Sequence, residues 1–342
     1  MPVNLRQLAK LLDLSITTVS RALAGYPDVS PTTRKRVRKA AAEHGYRPNP
    51  VARRLQRGKT EAIGIVLPPG QVFFRNFLQL LAGMSERLSE TEYDLTITVA
   101  SNEAQEMQAL RRMVEERRVD GVVMVQSKQE DPRIEYLLES GFPFVVYGRT
   151  HAQHPYAFVD MDGIKAFREA CECLASLGHQ RIGLLNTPSG LNFSQYCAQG
   201  YQEGLRSSGL PWDGALVCER SSGTSEEEES FRQAMELLQL PNPPTALLCF
   251  TEVATSVFQA IRESGRSVGQ RISVIGYDDL EVAKYTTPPL TTMAPPVHDV
   301  GQRLVEMLLE IIGGAPPEQF QELWEIPLTH RQSAAPPLAA KG

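Results

Sequence analysis

The sequence predicts a chain in two unlike parts: a small all-α head and a larger α/β body of two doubly wound parallel sheets. Three observations carry this. The 342 residues exceed what one ordinary hydrophobic core organises. Residues 4–45 show helix caps and apolar positions at helical spacing, with no strand-like run. From residue 62 short apolar runs alternate with helical patterns, in two successive series, which is the pattern of parallel sheets covered by helices on both faces.

Within the head, Asn4 can cap a first helix, with Gln7 three residues later in capping-box spacing and Leu5, Leu8, Ala9 and Leu12 on its apolar face. Ser15 can cap a second helix that turns Val19, Ala22 and Leu23 inward. Ser30-Pro31 places a cap before proline at the first helical position, and that third helix stops at Gly45. A basic stretch, YRPNPVARRLQRGK, follows, in which Asn49-Pro50 can start one more short helix.

In the body, AIGIVLP, YDLTITVA, VDGVVMV and FPFVVYG read as strands, separated by helical patterns over 74–90, 103–117 and 132–140. The second series runs helix 163–177, RIGLLN, helix 194–208, ALVCE, helix 226–239, TALLCF, helix 252–264 and ISVIGY. Two such series imply two similar subdomains with a cleft between them, and ligands of open α/β sheets bind at the carboxyl ends of the strands. The expected division is a head over 1–48, a hinge helix and linker over 49–60, and a body over 61–331. The body splits into 61–161 with a return segment near 291–325, and 162–290; a flexible tail, 332–342, ends the chain.

Charge is unevenly spread. Residues 1–60 carry 13 Lys and Arg against 3 Asp and Glu, whereas the remainder carries 22 against 37. A basic module on an acidic body suits a head that binds a polyanion while the body stays off the phosphates. The alternative is a solvated basic face. Five cysteines (171, 173, 197, 218, 249) form no CxxC pair and no Cys/His ligand spacing, so neither a disulfide frame nor a metal site is expected, and the compartment is read as a reducing cytosol. The N-terminal residues lack the apolar run of a signal peptide, and nothing approaches 18 consecutive apolar residues, so no membrane partner is expected. No P-loop, no GxSxG and no assembled catalytic constellation is present, which argues against an enzyme and against a cofactor. Glu226–Glu229 reads as a solvated acidic first turn, and His179 as a hydrogen-bonder in a turn.

A helix, a tight turn and a second helix of this length can lay the second helix in a DNA major groove. Ser15, Ile16, Thr17, Thr18 and Arg21 then lie within reach of base edges. Arg21 can hold a guanine by two bonds, and Ile16 or a threonine methyl can touch a thymine methyl. The bland alternative is a small helical protein-binding module, which the basic charge disfavours.

The residues V-S-R-A-L, then V-S, T-R and G-Y-x-P-N-x-x-A-R-x-L, followed in the body by LGHQRIGLL, RISVIGYDD and PPLTT, resemble the lactose-repressor (LacI) family over nearly the whole chain. The resemblance implies an N-terminal all-α helix-turn-helix head plus an α/β periplasmic-binding-protein-like sensor. It implies a sequence-specific transcriptional regulator, a repressor that binds palindromic double-stranded operator DNA as a homodimer under control of a small sugar-like effector. It also implies a hinge helix in the minor groove, with Asn49, Ala52 and Arg53 at the DNA and Leu55 as the apolar wedge. The sugar receptor of periplasmic-binding-protein type, without a regulatory role, is the alternative function.

Five places carry the implied effector contacts: the aromatic pair Phe73 and Phe74 after the first body strand, Arg149 in YGR, Asp160 after YAFV, Phe193, and Asp278 in GYDD. The chain departs from many relatives at three positions. Cys197 stands in place of an arginine, Gly148-Arg149 in place of aspartate-arginine, and Phe250-Thr251 in place of asparagine-aspartate. VNLRQLAKLLDLSITTVSRAL with FPFVVYGR is most similar to the α-glucoside operon repressors of that family, which points to a glucoside or disaccharide.

Overall fold

The computed structural model describes residues 3–46, 58–67, 74–150, 154–187, 191–219 and 225–338. Two compact units divide the chain, Met1–Glu61 and Ala62–Gly342.

The first unit holds α1 (Leu5–Leu12), α2 (Ile16–Leu23) and α3 (Pro31–Glu43). Each begins where its cap predicts. The Asn4 side chain accepts from the Gln7 amide while the Gln7 side chain accepts from the Asn4 amide, each at 2.9 Å, which completes the capping box. Ser15 and Ser30 cap α2 and α3 from one side only, their hydroxyls accepting from the Thr18 and Thr33 amides. Leu8, Ala9, Leu12, Val19, Ala22, Val29, Val37 and Ala41 form one small core, with Leu5 and Leu23 half-buried at its rim. Arg36 donates to the Leu12 carbonyl at 2.7 Å, placing a cation on the free carbonyls that end α1.

The second unit contains two six-stranded sheets of matching design. In the first, β1 (Ala62–Leu67), β2 (Asp94–Val99), β3 (Gly121–Met124), β4 (Phe144–Tyr147), β5 (Phe158–Met161) and β11 (Gln321–Trp324) lie in the order β11-β5-β4-β3-β1-β2, all parallel. In the second, β6 (Ile182–Asn186), β7 (Val217–Glu219), β8 (Ala246–Phe250), β9 (Ser273–Tyr277), β10 (Thr291–Met293) and β12 (Leu328–Thr329) lie in the order β12-β10-β9-β8-β6-β7. All pair parallel except β12, which runs antiparallel to β10. Helices α4 (Phe74–Leu88), α5 (Glu103–Glu115), α6 (Pro132–Ser140) and α12 (Val297–Ile312) belong with the first sheet. Helices α7 (Gly163–Ser176), α8 (Asn192–Ser207), α9 (Glu226–Leu238) and α10 (Ala254–Glu263) belong with the second, and α11 (Val282–Tyr285) is a single turn after β9. Strand interiors such as Val122–Met124 and Ala246–Cys249 are buried on both faces, which is why they read as unbroken apolar runs.

The chain passes between the two sheets three times: after β5, after β10 and after β11. The return to the first sheet therefore begins with α12, not at residue 291, because β10 continues the second sheet beside β9. The tail is also shorter than the sequence suggests. Ser333 is fully buried; its hydroxyl donates to the Val274 carbonyl and accepts from the Thr291 amide, and the Ala335 amide donates to Ser273. A proline-rich segment without helical or strand periodicity gave no sign of these edge contacts.

Candidate functional site: a basic helical head and a cleft between two sheets

In the head, the N-terminal residues of α2 divide by role. The Ser15 hydroxyl accepts from the Thr18 amide at 3.0 Å, and the two side-chain hydroxyls lie 2.8 Å apart. Both are thus occupied in holding the helix start. Ile16 and Thr17 are exposed, and Ile16 is a branched apolar side chain in water, which asks for a partner. Arg21 is exposed too. Its Nη2 lies 2.7 Å from Asp28 Oδ2, and its guanidinium sits 5.0 Å from the Tyr26 ring centroid. On α3, Arg34 and Arg36 are turned to backbone carbonyls of the head, whereas Lys35, Arg38 and Lys39 face solvent. Asn49, Ala52, Arg53 and Leu55 lie outside the described residues.

In the body, the carboxyl ends of the strands meet at one cleft. Leu67 ends β1, Val125 follows β3, Tyr147 ends β4, Asp160 lies in β5, Thr187 follows β6, Phe250 ends β8, and Tyr277 with Asp278 closes β9; all of them line the cavity. This is where a doubly wound sheet leaves an opening, because the connections on either side of the switch point leave in opposite directions.

Arg149, Asp160, Phe193 and Asp278, expected from sequence, are brought together here. Arg149 Nε donates to Asp160 Oδ2 at 2.6 Å, and the guanidinium stacks 4.9 Å from the Tyr196 ring centroid. Burial pushes the Asp160 carboxyl up from its ordinary range, opposed by Arg149. Asp278 has φ 76, a left-handed backbone that aspartate tolerates but seldom adopts, and Thr251 donates its hydroxyl to the Asp278 carbonyl. Burial raises the Asp278 carboxyl well above its ordinary value; the Glu252 charge raises it further, and a hydrogen bond from Asn76 opposes. The second aspartate of GYDD does a different job: Asp279 takes a two-pronged contact from Arg331, at 2.7 and 2.8 Å, inside the second subdomain. Phe73 lies outside the described residues, and Phe74 is described only as the first residue of α4.

Several further lining residues were not assigned to the effector from sequence. Phe250 and Tyr277 join the expected Phe193 in an aromatic wall with ring centroids 4.7 to 6.1 Å apart, backed by Phe167. Phe250 and Tyr277 looked like the ends of apolar core strands. Asn192 is buried and crosses the mouth of the cleft, its Nδ2 donating to the Lys128 carbonyl at 3.0 Å and the Arg149 carbonyl at 2.6 Å. Lys128 also bridges Leu191 backbone to backbone, and Gln129 bonds Gln195. The spacing of Phe193 and Tyr196 on α8, three apart and so on one face, was the available clue.

Of the remaining sequence readings, His179 is a buried hydrogen-bonder, bonded to Thr245, Ser273 and the Ala335 carbonyl at 2.9–3.0 Å. In the acidic turn Glu227 and Glu228 are exposed, Glu226 is half-buried and the fold buries Glu229. Cys197 is fully buried, and the five cysteines are all free thiols. No described helix is long and apolar enough to cross a membrane.

Residues 4–49 match the description "Bacterial regulatory proteins, lacI family", and residues 171–334 match "Periplasmic binding protein-like domain". The chain is 40% identical over 344 residues to the HTH-type transcriptional regulator AglR of Rhizobium meliloti (strain 1021), covering 98% of this chain and 95% of the relative. Among solved structures, the lac repressor dimer bound to operator and the anti-inducer ONPF superposes with a TM-score of 0.82 at 27% identity, covering 98% of this chain and 100% of that one. The complex of the transcriptional regulator CelR with cellobiose does so with a TM-score of 0.73 at 28% identity, covering 97% and 99%.

Proposed function

The chain belongs to the lacI family of bacterial regulatory proteins, and from that premise we propose that it represses a carbohydrate-utilisation operon in the cytoplasm, with an α-glucoside or disaccharide as effector. It is a transcriptional regulator with a helix-turn-helix head and a periplasmic-binding-protein-like sensor. The relatives found are regulators, and the receptor alternative leaves the head without a role.

The observation that carries the effector reading is the cleft, where aromatic rings and hydrogen-bonding side chains are brought together at the carboxyl ends of both sheets. Such a cavity suits a ring with an apolar face and hydroxyl edges. Arg149, Asp160, Phe193 and Asp278 are assigned to the effector, with Phe73 and Phe74 completing the site. Ile16, Thr17 and Arg21 are assigned to base edges, with Ser15 and Thr18 holding the helix start against the backbone. Asn49, Ala52, Arg53 and Leu55 are assigned to the minor groove. The head is taken as 1–48, the hinge as 49–60 and the sensor as the remainder, pairing as a homodimer on a two-fold operator.

The test is an anisotropy titration of the protein on DNA upstream of its neighbouring genes, with and without a sugar panel. Operator binding that survives competitor DNA and shifts with one α-glucoside is the expected result. Binding no tighter than to random DNA would refute the regulator assignment for that promoter, and operator binding indifferent to every sugar would refute the effector class.

A further inference from the structure

Two sets of hydrogen bonds meet where α8 begins, one from each subdomain. In the first subdomain the loops after β3 and β4 are tied to each other. The Ser127 hydroxyl donates to the Arg149 carbonyl at 2.8 Å, and the Thr150 hydroxyl donates to the Lys128 carbonyl at 2.5 Å. In the second subdomain the start of α8 is pinned to the end of β6. Asn186 Nδ2 donates to the Ser194 carbonyl and the Ser194 hydroxyl to the Thr187 carbonyl, each at 2.9 Å, and all three residues are buried.

Asn192 joins the two halves. It is 3% exposed and lines the cavity beside Phe193 and Tyr196. Its Nδ2 donates to the Lys128 carbonyl at 3.0 Å and to the Arg149 carbonyl at 2.6 Å. Each carbonyl therefore takes one bond from its own loop and one from across the cleft, which fills both of its lone pairs. A primary amide suits this place, because a hydroxyl has one hydrogen to give and a carboxylate has none. The Gln129–Gln195 bond, the Lys128–Leu191 backbone bridge and the stacking of Arg149 on Tyr196 cross at the same mouth. Moving the subdomains apart breaks these contacts together.

We propose that Asn192 is a positioning residue, a latch that holds the two subdomains closed over the effector and sets how slowly it leaves. The proposal rests on the reading of this cleft as a sugar site and adds to it a cause for residence time and signal. Each bond exchanged for water on opening biases the equilibrium by a modest factor, and two on one amide act together. A bound sugar leaves only from the open arrangement, so the bias appears in release. The latched arrangement is also the one that the sugar favours, and through that preference the heads respond.

The experiment uses the full-length protein with trehalose, sucrose and maltose, followed by stopped-flow and by operator anisotropy. For whichever sugar binds, Asn192→Asp should speed release about tenfold and leave association within about twofold, because shape is kept and both donors are lost. Unchanged release, or a loss of affinity carried by slower association, would overturn the latch. Should that variant fail to fold, Gln129→Ala at the exposed crossing contact should speed release about twofold, and no change would count against the proposal. A cross-link tests the signal without any sugar. Partners in an antiparallel bridge have Cα atoms about 4.5–5.5 Å apart, within disulfide reach. Oxidising Lys128→Cys/Leu191→Cys should therefore lock the mouth. It should move operator affinity in the direction that the sugar moves the parent, reversibly with reductant, while the parent under the same oxidant stays unchanged. Equal operator affinity of the oxidised and reduced forms would overturn the latch. Silence from all three sugars with a working cross-link would bring down the choice of these sugars as effectors and leave the latch standing.

Discussion

Arg21 stands beside an acid and a ring that limit where its guanidinium can go. The pair with Asp28 is exposed, so it adds little to stability. Under the proposed assignment of Arg21 to a base edge, these contacts would hold a long side chain near one geometry before DNA arrives. Arg21→Ala should cost about 1–3 kcal/mol of operator binding and relax the preference at one base position, with a smaller loss on random DNA at low salt. Equal losses on both DNAs, measured by anisotropy, would argue against base readout. At Asp278 the sign of the linkage is the reverse of the usual carboxylate case. Its folded pKa lies above the ordinary 3.8, so between those two values the native state keeps a proton that the unfolded chain has shed. Stability contributed by this group therefore falls as pH rises from about 4 toward the native value. Asp278→Asn carries no such penalty and should gain on the parent with rising pH, by up to about 1.4 kcal/mol per unit within that window. Urea unfolding of both proteins at pH 5 and pH 8 checks this; a gap that does not widen toward pH 8 would contradict the burial of the carboxyl.

Between elements, the tightest constraint lies where α4 crosses α12. A Cβ on Gly301 would sit 2.2 Å from the Leu80 carbonyl oxygen and 2.9 Å from the Met84 amide nitrogen, and one on Gly83 would sit 1.9 Å from the His298 carbonyl oxygen. The obstacles are backbone atoms, so no rotamer change relieves them. Gly301→Ala should destabilise the body by about 2–3 kcal/mol by forcing the helices apart, read as a lower urea midpoint with an unchanged slope. A variant as stable as the parent would mean that the crossing has room to spare. The loop after β3 is fixed by a different device. Arg133 is buried between Asp131 and Glu106 and also donates to the Gln126 carbonyl at 2.9 Å, so the loop that carries Gln126 and Ser127 into the cleft is anchored from below.

For the molecule as a whole, a palindromic operator needs two heads and therefore two chains. β2 is an edge strand on which Ile97 is exposed, and Leu78 on α4 is 59% exposed. Apolar side chains on an open sheet edge are a surface that invites a second copy. Ile97→Arg should shift the protein from dimer toward monomer in light scattering and weaken operator binding while leaving sugar binding in place. A variant that stays dimeric at low micromolar concentration would place the interface elsewhere. Signalling from cleft to operator then requires the sugar to prefer one arrangement of the two subdomains, since equal affinity for both shifts nothing. Asn192, whose amide spans the cleft mouth, is placed to register that arrangement.

The sequence by itself determined the elements. The caps at Asn4, Ser15 and Ser30, the helical spacing of Leu8 and Leu12, and the apolar runs from AIGIVL to SVIGY are local signals, and each works through residues within a few positions of one another. It also gave the family motifs of the head and Asp278 at the end of a strand. Only the tertiary structure decided that Phe250 and Tyr277 face a cleft with Phe193 instead of closing a core, that Arg149 is taken up by Asp160 and Tyr196, and that Ser333 seals the second sheet. Those roles depend on which strand ends meet across two sheets. The residues concerned lie tens to hundreds of positions apart, and an aromatic side chain at a strand's end follows the same pattern whether a helix or a ligand comes to cover it.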